Sequence, residues 1–539
     1  MSFSESPVFS PAGYDGAMIY PTRIVRAAQT LTLAFTAAFV APLAFAQNTE
    51  LEQVNNAYQA LDRRPELRSD LVLLPLLAKL DAGPDILADP MSVCEIPADS
   101  SQWQALESWA MGKPQRDALA ALDKVTSVQT WRDAYGFGQR YGTEGIDFEI
   151  LRAGLYTDLG DPPMLSAARF QCLPALSKLM SLAHIEATRL LAQDKPAEAG
   201  KIIISVVYFG RQMVDRIFAQ EAGWGYDTMA LGLERLRDIL YQDRVGKKLL
   251  SDAELREMLG RLNIEDDPTA YVSVERAKFP DGNATAGRQL LSLVYDGSGT
   301  MNADILARNM GRLVISNHPL RIFSEGAYWR EQARTIANKK ESLAAVDASE
   351  NDWERRWGLK IWDRHFNAAW AFERLDPQKD SIVIAGVGDR GQIFGKRNRV
   401  RVELGGTRVC IALVGAWRSR ELPPPVITAI RPSWIVDIDS DPYNWNDREL
   451  FSKPPFKYKP ARKREDELSI AIVNHFGPNF EAKIPPEFFV LYSLGSDATD
   501  QGCQRAQNTT ELVQGADYLL WPPVLSLSRE YKKSVGLLK

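Results

Sequence analysis

The chain has 539 residues, 45% hydrophobic and 25% charged, with a formal net charge of −5. That is an ordinary globular composition, long enough for two or three domains. The small negative balance argues against nucleic acid or an anionic membrane as a partner. Arg23 and Arg26 precede the apolar run from Leu31 to Val40. Pro42 breaks that run, and Ala44-Phe45-Ala46 stands before Gln47. A basic region, a short apolar core and an A-x-A end predict a signal peptide over 1–46, with Met1 and Met18 both open as its start. The run is short for a membrane span, and no later stretch approaches the ~20 apolar residues a span needs. The expected location is therefore periplasmic or secreted, with no transmembrane segment after signal removal.

Residues 47–375 read as an α-helical scaffold domain. Leu173, Leu176, Leu179, Met180, Ala183, Ala187, Leu190 and Leu191 recur at three- and four-residue spacing, which puts one apolar stripe on a helix. Gln193-Asp194-Lys195-Pro196 then turns the chain, with Pro196 suited to the first position of the next helix. The pair reads as a helical hairpin, without the fixed period of a repeat array. Ser251 and Glu254 form a capping-box signature for a helix through Leu262. The aromatic stripe of Trp353, Trp357, Trp362, Phe366 and Trp370 predicts a helix over 350–375, facing the core. Cys94, Cys172, Cys410 and Cys503 are far apart in sequence, which excludes zinc-finger and C-x-x-C motifs. In an oxidising compartment an even count permits two disulfides, and the domain split suggests Cys94 with Cys172 and Cys410 with Cys503.

From residue 376 the texture changes. Ser381–Ala385 has a strand pattern, and Val400, Val402 and Leu404 alternate as a half-buried strand should. Gly386-Val387-Gly388-Asp389-Arg390-Gly391 matches G-x-G-x-x-G. A dinucleotide site needs a helix directly after it, and the following residues read as strand, so a β-turn is expected. Residues 407–419 read as a helix. Four histidines, His184, His318, His365 and His475, form no metal or nucleophile motif, and no catalytic residue is assigned. Lys453, Lys457, Lys459, Arg462, Lys463 and Arg464 make a basic cluster that Glu465, Asp466 and Glu467 offset.

In the C-terminal part a helix and a Pro-rich loop lead to Asp441-Pro442-Tyr443. Pro455-Phe456-Lys457-Tyr458 follows, and then Phe489-Val490-Leu491-Tyr492-Ser493-Leu494-Gly495-Ser496-Asp497. This order resembles the C-terminal half of the major pseudopilin of type II secretion systems, over roughly residues 405–503. The whole chain looks like exported bacterial proteins that join a helical region to such a tail. The resemblance implies an α+β fold, with a pseudopilin-like helix-plus-antiparallel-sheet domain at 376–539. It also implies a calcium loop, with Asp497 and Asp500 as side-chain ligands and Ser493 and Leu494 offering backbone or hydroxyl oxygens. Asp437, Asp439 and Asp441 alternate nearby. Several departures stand out. The prepilin-peptidase signature and the polymerising N-terminal helix are missing, Ala498 replaces a Gly, Gly502-Cys503 replaces Gly-Gly, and 459–487 is a long insertion. The expected role is an exported, non-catalytic interaction or assembly protein, with protein partners in the envelope or secretion machinery. The alternatives are a secreted hydrolase with an interdomain cleft, or an envelope- or carbohydrate-binding protein built on exposed tryptophans such as Trp434 and Trp445.

Overall fold

The computed structural model describes residues 49–539, apart from 128–129, 265–269, 314–318, 362, 364, 367, 445–453, 464–467, 475–476, 509–514 and 539. The signal segment, His318, His475, Trp362 and Trp445 therefore lie outside the described residues. The apolar stripe at 173–191 becomes helix α1 (Cys172–Ala192), and Pro196 opens α2 (Pro196–Val214). The reversal between them passes through Asp194 at φ 62°, with the Lys195 N–H closing on the Leu190 carbonyl at 2.9 Å. Helix α3 (Ala219–Val245) lies along α2 and is buried on most of its surface. The capping box forms as expected: the Ser251 hydroxyl accepts from the Glu254 N–H, and the Glu254 carboxylate accepts from the Ser251 N–H, starting α4 (Asp252–Arg261). Helices α5 (Gly282–Val294) and α6 (Lys339–Trp357) follow. The helix expected over 350–375 ends at Trp357. The Arg356 guanidinium then gathers the carbonyls of Phe366, Ala368 and Ala369, so the later aromatics return to the core as a loop.

Two expected strands are helices. Ser381–Val387 is α7, and 400–404 lies inside α8 (Gln392–Arg418), a 27-residue helix that also contains the helix expected over 407–419. The arginines of the alternating stretch each find a partner on a different element. Arg397 donates to the Trp357 carbonyl at 2.8 Å, Arg399 to the Tyr518 hydroxyl at 2.9 Å, and Arg401 to Glu275 at 2.6 Å. A helix buried on all sides loses the 3.6-residue signal that marks an amphipathic one.

A small ladder joins β1 (Thr157–Asp158) to β2 (Arg169–Phe170). The main sheet has β3 (Lys457–Lys459), β4 (Leu468–Val473), β5 (Phe480–Ile484), β6 (Val490–Ser493), β7 (Arg505–Gln507) and β8 (Asp517–Trp521), in the order β3-β6-β8-β7-β4-β5. It is mixed rather than antiparallel, because β7 runs parallel to both β4 and β8. The α+β class holds. Helix α8 packs on this sheet: Trp417 meets Phe488 edge-on at 5.3 Å, and Phe489 stacks on Trp521 at 5.3 Å.

No gap in the core marks residue 375. Residues 46–539 form one compact unit, in which Tyr241 of α3 packs on Trp521 at 5.7 Å. The C-terminal helix α9 (Val524–Ser534) reaches back to residues 94–95, where Arg529 donates to the Cys94 carbonyl at 2.7 Å. Between α3, α8, β8 and α9 lies a fully buried polar layer. Arg237 pairs with Glu403 and donates to Thr407 at 2.6 Å. Asp238 takes Arg529 through both carboxylate oxygens at 2.9 and 3.0 Å, and Arg235 and the Ser526 hydroxyl as well. All four cysteines are buried free thiols, so neither suggested disulfide is formed. Cys94 sits beside Arg235 and Asp238, and Cys172 beside Glu221 and Arg216. Among the described residues no helix is long and apolar enough to cross a membrane.

Candidate functional site: two clefts on one backbone bridge

The turn from α2 into α3 and the segment leading into α5 meet where the Gly282 N–H donates to the Ile217 carbonyl at 2.9 Å. A Cβ at Gly282 would itself lie 2.9 Å from that carbonyl oxygen, so only glycine permits the approach. Arg216, Ile217, Pro280 and Asp281 line a cleft of 470 Å³, whereas Ala219, Gln220 and Asn283 line another of 750 Å³. Both volumes fall within the range of about 300–1,000 Å³ typical of small-molecule sites.

In the larger cleft most of the charged and amide side chains engage one another. Asp227 pairs with Lys396 at its mouth, and the Trp224 indole donates to Ser177 at 3.0 Å. Asn283 spends its amide on the Ala219 N–H and the Val387 carbonyl. The G-x-G-x-x-G segment borders this cleft through Asp389 and Arg390. A helix does follow the segment, contrary to the sequence reading, but a helix also precedes it. Gly388, at φ 71°, caps α7, and Asp389 accepts the Gly391 N–H at 2.7 Å. The dinucleotide pattern needs strand–turn–helix, and the order here is helix–turn–helix.

The smaller cleft is aromatic and carries unspent polar groups. An isolated β-bridge between Thr130 and Ala270 sets Trp131 against Tyr271, with ring centroids 4.9 Å apart. The Arg211 guanidinium lies 4.7 Å from the Trp131 ring centre and pairs with Asp215 at 2.8 Å. On the floor Arg216 sits between Tyr58 and Tyr141, at 4.3 and 4.6 Å from their ring centres, and pairs with Glu221 at 2.8 Å. Tyr141 donates to Glu221 at 2.7 Å, and Tyr58 accepts the Ile217 N–H at 3.2 Å, closing a buried chain. Burial pushes the Tyr58 hydroxyl up to about 12. Burial also raises the Glu221 carboxyl above its ordinary range, against the pull of Arg216. Among the described residues the Trp131 indole N–H, the Gln212 Oε1 and the Arg216 Nη2 have no hydrogen-bond partner. On the rim, Arg276 and Lys278 are exposed and alternate with buried Ala277 and Phe279.

The residues singled out from the resemblance meet elsewhere, at the sheet. The Ser493 hydroxyl and the Leu494 N–H donate to Asp441 at 2.7 and 3.1 Å, joining the D-P-Y turn to β6. Burial pushes the Asp441 carboxyl up to about 6. Asp497 accepts from the N–H groups of Thr499 and Gly515, and Asp500 from the Tyr492 hydroxyl and the Gly502 N–H. Among the described residues no group of three or more His, Cys, Asp or Glu side chains is placed to hold a metal ion. Asp437 pairs with Arg431, and Asp439 with Arg408.

The described part of the basic cluster is largely spent internally. Lys457 pairs with Asp500 at 3.5 Å, Lys459 donates to the Gly502 carbonyl, and Arg462 donates to the Ile484 carbonyl at 3.0 Å. Lys453, Arg464 and the acidic run 465–467 lie outside the described residues. His184 is buried, and its imidazole is pushed down to about 3 by that burial, while His365 is exposed. Trp434 is packed against Gly415 with Arg256 4.2 Å from its ring centre, so it is no open sugar platform.

Sequence reasoning missed Tyr58, Trp131, Arg216, Arg276 and Lys278. Only the 276–279 alternation carried a local signal. The chain matches no family model, no curated protein and no solved structure.

Proposed function

We propose that this chain is an exported, non-catalytic binding protein of the periplasm or cell exterior. It engages its ligand or partner through the two clefts at the Ile217–Gly282 bridge, while the pseudopilin-like tail serves as structural support. One contrast carries this reading. The carboxyls that burial pushes up to about 7, Glu234 and Asp517, and to about 6, Asp441, line neither cleft, and Glu221 beneath the smaller one, though raised, is held by Arg216 and the Tyr141 hydroxyl. A general acid or base tuned near neutral pH belongs where substrate can reach it. The clefts instead offer ring faces and fixed cations, which bind without transferring protons.

The test is affinity capture from envelope and culture fractions with the wild-type chain and with Trp131→Ala. The expected result is a species recovered with the wild type and lost with the variant, whose circular dichroism is unchanged. Equal recovery from both would remove the clefts as the site.

A calcium ion at Asp497 and Asp500, as the resemblance implies, belongs to this proposal only if those carboxylates exchange their N–H donors for the ion. Added calcium then raises Tm through ligand linkage and a chelator reverses it; a Tm indifferent to both removes the ion.

A further inference from the structure

We infer that the 470 Å³ cleft takes a hydroxylated six-membered ring bearing an anionic group, that is, an acidic sugar residue. This rests on the binding reading above and names its ligand. Three independent features of the cleft converge on that chemistry. The first is an aromatic lining: Tyr58, Trp131, Tyr135, Phe137, Tyr271 and Phe279 all border the cleft. Such rings accept the C–H face of a sugar as readily as another aromatic, at low conformational cost.

The second is unmet hydrogen bonding. A donor (the Trp131 indole N–H) and an acceptor (the Gln212 Oε1) are withdrawn from solvent without partners among the described residues. Buried polar groups are nearly always paired, so an unpaired donor and acceptor in one cleft wall suit a ligand that offers both, as a hydroxyl does.

The third is charge. Most acidic groups near the cleft are already engaged. Asp215 is taken by Arg211, Glu221 by Arg216, and Glu275 by Arg401. Asp281 lies close enough to Arg390 to support its charge. Arg276 and Lys278 make no ion pair or side-chain hydrogen bond among the described residues, and both line the cleft. They flank buried Ala277, two residues apart on the rim. A neutral ring would leave both cations unused; a carboxylate or phosphate on the ring would meet them. The Arg216 Nη2, also without a partner among the described residues, adds a donor on the floor.

The experiment is calorimetric titration of the mature chain with four probes. These are a hexuronic acid trisaccharide, the neutral hexose trisaccharide of the same linkage, glucose 6-phosphate and inorganic phosphate. The acidic trisaccharide or the sugar phosphate is expected to bind roughly fivefold or more tighter than the neutral sugar, with the difference shrinking as salt is added. Which of the two wins identifies the anion as carboxylate or phosphate. Arg276→Glu with Lys278→Glu is expected to abolish the preference while leaving neutral-sugar binding in place. Trp131→Ala is expected to weaken every sugar by roughly tenfold. Equal affinity for acidic and neutral trisaccharides overturns the anion assignment, and phosphate binding as tightly as glucose 6-phosphate overturns the ring. If no sugar binds but capture still depends on Trp131, this inference fails and the binding reading stands. If neither depends on Trp131, both fail.

Discussion

Asp238→Ala is expected to destabilise the protein by about 3–5 kcal/mol, the loss typical of breaking a buried pair from one side. Asp238 is fully buried on α3, and its two oxygens serve Arg529, Arg235, Ser526 and Gln242. Removing it leaves two buried guanidinium groups facing one another without an anion. It also removes the ionic tie between α3 and the C-terminal helix, which itself holds residues 94–95. The same group shapes the acid limb of stability. The carboxyl is held down at about 2: burial raises it, and Arg529 and Arg235 outweigh that. A depressed carboxyl contributes stability above its unfolded value of about 4 and loses it as pH falls toward 2. The variant should therefore show a smaller difference between pH 5 and pH 2 than the wild type. Urea melts of both proteins at the two pH values measure this, and a loss below ~1 kcal/mol at pH 7 would contradict the pairing. Asp117→Ala is the control, because its partner Lys113 is 84% exposed and such pairs contribute little.

Glu234→Gln is expected to act in the opposite direction. Glu234 is fully buried, and burial together with nearby Glu403 pushes its carboxyl from 4.5 up to about 7. In the window between those values the folded state holds a proton that the unfolded chain has released. Stability is therefore complete below about 4.5 and declines as pH rises to about 7, where the penalty is full. Glutamine keeps, through its Oε1, an acceptor for the Leu525 N–H and the Asn508 Nδ2, which Glu234 binds at 3.0 and 2.9 Å. The expected gain is on the order of 3 kcal/mol at pH 8, from the 1.36 kcal/mol that each pKa unit is worth, and it vanishes near pH 4. Thermal melts at pH 4, 6 and 8 decide it. A variant less stable than wild type at pH 8 would mean that the carboxylate, not the acid, is the form the core was built around. Asp441 and Asp517 are raised by the same cause, so the wild type itself should melt higher at pH 5 than at pH 8.

How far the sequence could be read follows from where its signals are local. The α1–α2 hairpin was legible because one face of α1 repeats at helical spacing and Pro196 marks the restart. The capping box at Ser251 and Glu254 needs only four residues. The motif order that resembles a pseudopilin did identify residues that meet: Asp441 holds Ser493 and Leu494, and α8 packs on β6 through Trp417. Residues 381–404 misled because β-branched side chains suit a strand, and because the arginines at 397, 399 and 401 look like a wet edge. Their partners lie at the end of α6, on β8 and near residue 275, which no local window contains. The parallel strand β7 was equally invisible, since its neighbours β4 and β8 are set by tertiary packing. The clefts were least legible of all. The smaller one draws its walls from residues near 58, 131–137, 212–217 and 271–281, the larger from 170–177, 219–227 and 389–396, and the close contact between them is a glycine approaching a backbone carbonyl.

The central claim is that binding occurs at the Ile217–Gly282 bridge. Hydrogen–deuterium exchange on the mature chain, with and without the hexuronic acid trisaccharide or the species captured by the wild type, tests it most directly. Protection is predicted at 131–137, 212–217 and 271–281. Protection confined to the sheet at 457–521, with the cleft segments exchanging as before, would contradict it.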